Sequence, residues 1–290
     1  MKSYRFYVEA ICAFFLLWIV ACGRLSSTPV AADAQAENIA GGLGDTIPDK
    51  IRKSTVLIFT YDVSSARTTF QCSGVILTED LIMTAAHCLE PARSKGKNVF
   101  GPNRSAFVYL GELGSKPKFE VAKIIPIDRF EIHPAYKVAN DLAMVHLTIP
   151  LDLELTPPTL FKGILGVGTK VVSAGFGPPI EGSKDLSRSL RIRSSSITSP
   201  SSNDSNVEAE IQCSHNHSMT SGDSGGPSFV KGKNGEWELW GIYSAGISIN
   251  GACVSDVYES LLKQSDWISR AMTELSNKPS KTSNETTNTL

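Results

Sequence analysis

Apolar residues come in short runs between Ile51 and Trp267, broken by Gly, Pro, Ser and Asn. Thr55–Thr60, Val75–Thr78, Ala106–Leu110, Ala143–Leu147, Val171–Ala174 and Trp237–Tyr243 are such runs. Their spacing predicts many short strands in an all-β sandwich or barrel, not βαβ units. Only from Val257 to Leu275 do apolar positions recur at helical spacing, which predicts one helix near the end. The Ser-rich stretch Ser187–Asn206 reads as a surface loop. Ser26–Asn38 reads as an exposed linker, and the polar tail 276–290 as disordered.

The first residues follow another pattern. Lys2 and Arg5 precede an apolar run, Ala10 to Ala21, that is short for a membrane span. Residues 1–21 therefore read as a signal peptide. Ile19-Val20-Ala21-Cys22-Gly23 resembles a bacterial lipobox, which would place a lipid on Cys22 at the head of a linker, 22–38. The alternative is a plain signal peptide cut near Ala21. Either exports the chain, to a bacterial cell envelope as a lipoprotein or to the medium. Composition adds little: among 290 residues 41% are hydrophobic and 20% charged, with a net charge of -1. That balance favours no nucleic-acid partner, and membrane contact is expected only through the Cys22 lipid. Of six cysteines, Cys12 leaves with the signal peptide and Cys22 would carry lipid. Cys72, Cys88, Cys213 and Cys253 remain and predict two disulfides, with three connectivities open.

Three segments carry candidate chemistry: Thr84-Ala85-Ala86-His87-Cys88, Asn140-Asp141-Leu142-Ala143 and Gly222-Asp223-Ser224-Gly225-Gly226-Pro227. They supply a base, an orienting carboxylate and a nucleophile. A serine hydroxyl attacks only when a neighbouring base takes its proton. Neutral imidazole can take that proton near pH 7 and return it to a leaving amine. A carboxylate on the other ring nitrogen sets the tautomer and stabilises the imidazolium. The N–H groups of Gly222 and Ser224 are candidates for an oxyanion hole. His133 and His146 read as structural, and His215 with His217 as part of a solvated loop.

These blocks resemble those of the trypsin/chymotrypsin family of serine peptidases. Ala174-Gly175-Phe176-Gly177 and Gly241-Ile242-Tyr243-Ser244-Ala245-Gly246 extend the resemblance, which runs from Ile39 to about Ile268. It implies two six-stranded antiparallel β-barrels packed perpendicular, with a C-terminal helix, in one protease domain over 39–275. It implies a His87–Asp141–Ser224 triad, a Cys72–Cys88 disulfide, and hydrolysis of protein or peptide substrates through an acyl-serine without a cofactor. Cys213 and Cys253 are left to pair with each other. An inactive binding protein on the same scaffold is the alternative function. An α/β-hydrolase esterase would share the Gly-x-Ser-x-Gly spacing but needs the order Ser, Asp, His.

The resemblance also implies a substrate pocket at Ser218, Ser244, Gly246 and Asp256. Ser218 points to apolar side chains and Asp256 to basic ones, so both preferences stay open. Glu112 lies where the family places a calcium ligand, but Lys116 and Lys118 follow it, and no metal is expected. Asn38-Ile39-Ala40-Gly41-Gly42 resembles the start of the activated family. Cleavage before Ile39, by an unknown activating protease, would free an α-amine to pair with Asp223. It would also release the enzyme from a lipid on Cys22.

Overall fold

The computed structural model describes residues 48–112, 123–137, 139–151, 157–178, 189–200, 206–210, 219–249 and 252–277. A six-residue helix, α1 (Asp49–Ser54), leads into the first sheet. That sheet is a closed antiparallel barrel of β1 (Thr55–Asp62), β2 (Arg67–Ile76), β3 (Leu81–Thr84), β6 (Arg104–Tyr109), β7 (Ile124–Ile132) and β8 (Ala143–Leu147). A short ribbon, β4 (Arg93–Ser94) with β5 (Lys97–Phe100), stands beside it.

The second sheet holds β10 (Lys170–Gly175), β11 (Arg191–Pro200), β12 (Asn206–Glu210), β13 (Pro227–Lys231), β14 (Trp237–Ile249) and β15 (Ala252–Ser260). These six close on themselves because β13 pairs with both β10 and β14. A two-residue strand, β9 (Thr159–Leu160), runs parallel to β14 as a seventh member.

Alternation explains how the barrels meet. Along β1, Val56 and Ile58 fill the first barrel, while Leu57 and Phe59 point outward. Ile82 faces in while Leu81 and Met83 face out, and Val145 faces in while Met144 faces out. The outward set packs with Val172, Ala174, Phe229 and Ile242 of the second barrel in one continuous seam. Such strands are buried on both faces, so they read as unbroken apolar runs.

Two expectations need correction. Arg191–Pro200 lies within the segment read as a surface loop, yet it is strand β11, paired with β10 and β12. An inner strand needs its backbone bonds met more than it needs apolar residues, and two of them suffice here: Ile197 is buried and Ile192 packs on the core. The helix also starts later than expected. Val257–Ser260 belongs to β15, and α2 spans Ser265–Asn277. On α2, Trp267, Ile268, Ala271 and Leu275 are buried, and the Arg129 guanidinium donates to the Leu275 carbonyl at 3.0 Å. Cation and carbonyl at a helix C-terminus suit the helix dipole.

A disulfide joins Cys72 on β2 to Cys88, sixteen residues on. Closing a loop of that length is worth about 3 kcal/mol by restricting the unfolded chain. A Cys72→Ser/Cys88→Ser variant is expected to lose about that much in urea denaturation monitored by tryptophan fluorescence. Cys213 lies outside the described residues, as do Cys22, Ile39, His215, His217 and Ser218.

Candidate active site

His87 stands in a short 3-10 turn just after β3, within the span closed by the Cys72–Cys88 bond. Asp141 lies just before β8, the neighbour of β3 in the barrel, so the pairing of β3 with β8 brings the two together. One Asp141 oxygen, Oδ1, accepts the His87 backbone N–H at 2.9 Å, and Oδ2 lies 2.6 Å from His87 Nδ1. Ser244 on β14 donates its hydroxyl to the same Oδ2 at 2.8 Å. Burial alone would raise the Asp141 pKa. The His87 hydrogen bond and charge, with the Ser244 bond, outweigh it and hold the carboxyl below its ordinary value. Asp141 is thereby held as the carboxylate facing His87 Nδ1, and Phe70 sets its ring edge-on to His87 at 6.0 Å.

Behind Asp141 is a residue that sequence reading missed. Glu259 is buried at the end of β15, and its Oε1 accepts the Asp141 backbone N–H at 2.9 Å. Its signal in the sequence was a second carboxylate in the strand that carries Asp256, Asp256-Val257-Tyr258-Glu259.

Ser224 occupies the turn that leads into β13. The turn is keyed to the first barrel by Ser73 of β2. The Ser73 N–H donates to the Ser224 carbonyl at 2.8 Å, and its hydroxyl donates to the Gly222 carbonyl at 2.8 Å. Gly225 has φ +79°, and a Cβ there would lie 2.1 Å from Thr84 Oγ1 and 2.4 Å from the Ser73 carbonyl oxygen, so only glycine fits. The N–H groups of Asp223, Gly225 and Gly226 are spent on Thr220, Tyr243 and Asp223 carbonyls. Among the described residues, those of Gly222 and Ser224 donate to nothing. The Ser224 hydroxyl makes no bond to His87 among the described residues, although Cys88 Sγ is only 3.7 Å from the Ser224 carbonyl oxygen. Nucleophile–base bonds are commonly long until substrate closes the site.

The other predicted residues fall as follows. Gly246 lies opposite Asp256 across β14 and β15. Asp256 is buried among protein groups. Burial pushes its carboxyl up to about 7; the Arg193 charge and a Met219 backbone N–H work against this, and the Asp223 charge works with it. Because the folded value exceeds the unfolded 3.8, this group's contribution is most favourable below about pH 4 and declines as pH rises toward 7. Up to roughly 4 kcal/mol is at stake. The stability of Asp256→Asn relative to the parent chain should therefore improve between pH 4.5 and pH 8 in urea denaturation; a constant difference would refute a neutral buried carboxyl. Asp223 is 1% exposed and meets Arg191, while its predicted partner Ile39 lies outside the described residues.

Glu112 pairs with Arg52, and residues 113–122 lie outside the described set. Cys72, Cys88 and His87 cluster like metal ligands, but both sulfurs are consumed in the disulfide. His146 sits 2.7 Å from Asp128 and accepts from Arg129, and the His133 ring packs on Trp267, so both are held in structural roles.

Comparison with known proteins agrees with the architecture. Phenoloxidase-activating enzyme 1 of Spodoptera litura is 27% identical over 81% of this chain and 67% of its own length. CLIP domain-containing serine protease B4 of Anopheles gambiae is 24% identical over 91% of this chain and 81% of its own. A trypsin of Phaedon cochleariae is 22% identical over 68% of this chain and 77% of its own. These relatives come from insects and lend no support to a bacterial lipoprotein. The trypsin family model matches residues 52–268, so the chain belongs to the trypsin family and is a trypsin-like serine endopeptidase.

Proposed function

We propose that peptide-bond hydrolysis by this chain runs through Ser224 as nucleophile, His87 as general base and acid, and Asp141 as the carboxylate that orients the ring. Ser224 attacks the scissile carbonyl as His87 Nε2 takes its proton. The oxyanion is received by the N–H groups of Gly222 and Ser224. His87 then protonates the departing amine, and water reverses the sequence to free the acid. The observation that carries this reading is the 2.6 Å contact between His87 Nδ1 and Asp141 Oδ2, which leaves Nε2 as the working nitrogen. The N–H groups of Gly222 and Ser224, which donate to nothing among the described residues, support it.

Fluorophosphonate labelling tests the assignment. Covalent modification mapped to the peptide bearing Ser224 is expected, and it should be lost in His87→Ala. An inactive protease-fold binding protein would remain unlabelled.

Export through the leader at residues 1–21 and cleavage before Ile39 belong to the same reading, as does a Cys213–Cys253 disulfide. Lipid on Cys22 rests on the Ile19–Gly23 resemblance alone. Detergent partitioning of the exported protein, with N-terminal sequencing, tests both ends of that proposal.

A further inference from the structure

Asp223 immediately precedes the proposed nucleophile, and its carboxylate is fully enclosed. A charge in that place needs a partner and filled hydrogen-bond positions. Both are present among the described residues. Oδ1 accepts the Gly177 N–H at 2.7 Å. Oδ2 accepts the Thr220 N–H at 2.8 Å and Arg191 Nη2 at 2.9 Å, with Thr220 Oγ1 at 3.3 Å. Arg191 also reaches Thr220 Oγ1 at 3.2 Å, and that hydroxyl donates to the Pro178 carbonyl at 2.7 Å.

The guanidinium comes from the barrel wall. Arg191 lies on β11 and pairs in register with Gly175 of β10, the strand that leads to Gly177. A Cβ on Gly177 would lie 2.6 Å from the Asp223 Cγ, so the absence of a side chain there makes room for the carboxylate. With Asp223 held, the turn is tied down on both sides of Ser224. Its N–H donates to the Thr220 carbonyl at 2.9 Å, its carbonyl accepts from Gly226 at 2.8 Å, and Gly225 donates to Tyr243 at 2.8 Å.

We propose that Arg191 is a positioning residue that neutralises Asp223 and holds the Ser224 turn before any cleavage at Ile39. One carboxylate requires one cation. A second cation arriving from a freed N-terminus would meet the like charge of Arg191. Cleavage before Ile39 then releases the enzyme body without being needed to assemble its site. This inference rests on Ser224 being the nucleophile.

The test compares the full chain with the 38–39 bond intact, verified by intact mass, with a form cut before Ile39. The cut form carries a processing site in place of residues 34–38. Fluorophosphonate labelling rates are measured for the parent chain, Arg191→Lys and Arg191→Met. The uncut parent should label within about tenfold of the cut form, and uncut Arg191→Met should fall about 100-fold, the cost of an unformed oxyanion site. Lysine should keep most of the uncut rate. Cutting Arg191→Met should restore labelling, since the new amine can then supply the missing cation. A merely structural arginine would show no such rescue.

Hydrogen exchange at the Gly177 and Thr220 amides gives a readout independent of Ser224. Protection should be lost in uncut Arg191→Met and kept in Arg191→Lys. An inert uncut parent that becomes active on cutting, or uncut Arg191→Met labelling at the parent rate, overturns the proposal. If no form labels yet exchange follows Arg191 as expected, the assignment of Ser224 as nucleophile fails, while the hold of Arg191 on Asp223 and its turn is upheld. Should Arg191→Met not fold, Arg191→Met/Asp223→Asn decides: a folded chain with slow labelling supports the pair, and labelling at the parent rate overturns it.

Discussion

Ser224→Ala is expected to lower kcat on a peptide substrate by about 10⁶-fold while leaving KM within a few-fold. The hydroxyl is the nucleophile of the acylation step in the proposed reaction. Without it, water must attack unaided by a covalent intermediate. What survives is the oxyanion hole and substrate binding, together good for a residual rate of about 10³-fold over water. The variant should fold normally, because the turn is held by Ser224 backbone bonds and by its neighbours. The Ser224 carbonyl still accepts from Ser73, and Gly225 and Gly226 keep their bonds. Equal melting temperatures with unequal turnover would separate chemistry from stability. A variant that retains even a hundredth of the parent rate, free of contaminating protease, would remove Ser224 from the reaction.

Asp141→Asn is expected to cost about 10⁴-fold in kcat near neutral pH. The change is isosteric, so the His87 N–H can still be accepted by the amide oxygen. The loss comes from the second position. Oδ2 now accepts from both the His87 ring and the Ser244 hydroxyl. An amide nitrogen there donates and cannot accept, so imidazole would turn Nδ1 into the acceptor and present Nε2 already protonated. That tautomer cannot take a proton from Ser224. Fluorophosphonate labelling should slow with kcat, and activity should rise again at high pH, where hydroxide can replace the base. A variant with parent-like turnover at pH 7 would show that Asp141 does not set the tautomer. Glu259→Gln should be much milder, since an amide oxygen can still accept the Asp141 N–H.

Much of the site is local and was therefore legible. His87 next to Cys88, Asp141 after Asn140 and Ser224 among glycines are short segments whose residue types state their chemistry. The short, unbroken apolar runs of β1 and β8 predicted strands because a brief apolar run bounded by turn residues is a property of the chain itself. Strand β11 was hidden because its serines and arginines carry no apolar signal, and its pairing with β10 and β12 alone makes it a strand.

The sequence by itself determined which groups could react and that the chain would fold from many short strands. Only the tertiary structure decided who partners whom. Arg191 reaches Asp223 across 32 residues, Ser244 reaches Asp141 across 103, and Glu259 caps the Asp141 N–H across 118. Such partnerships depend on which strands lie side by side. A buried charge takes whichever counter-charge the closed barrel delivers to it, and that delivery exists only once the sheet has closed.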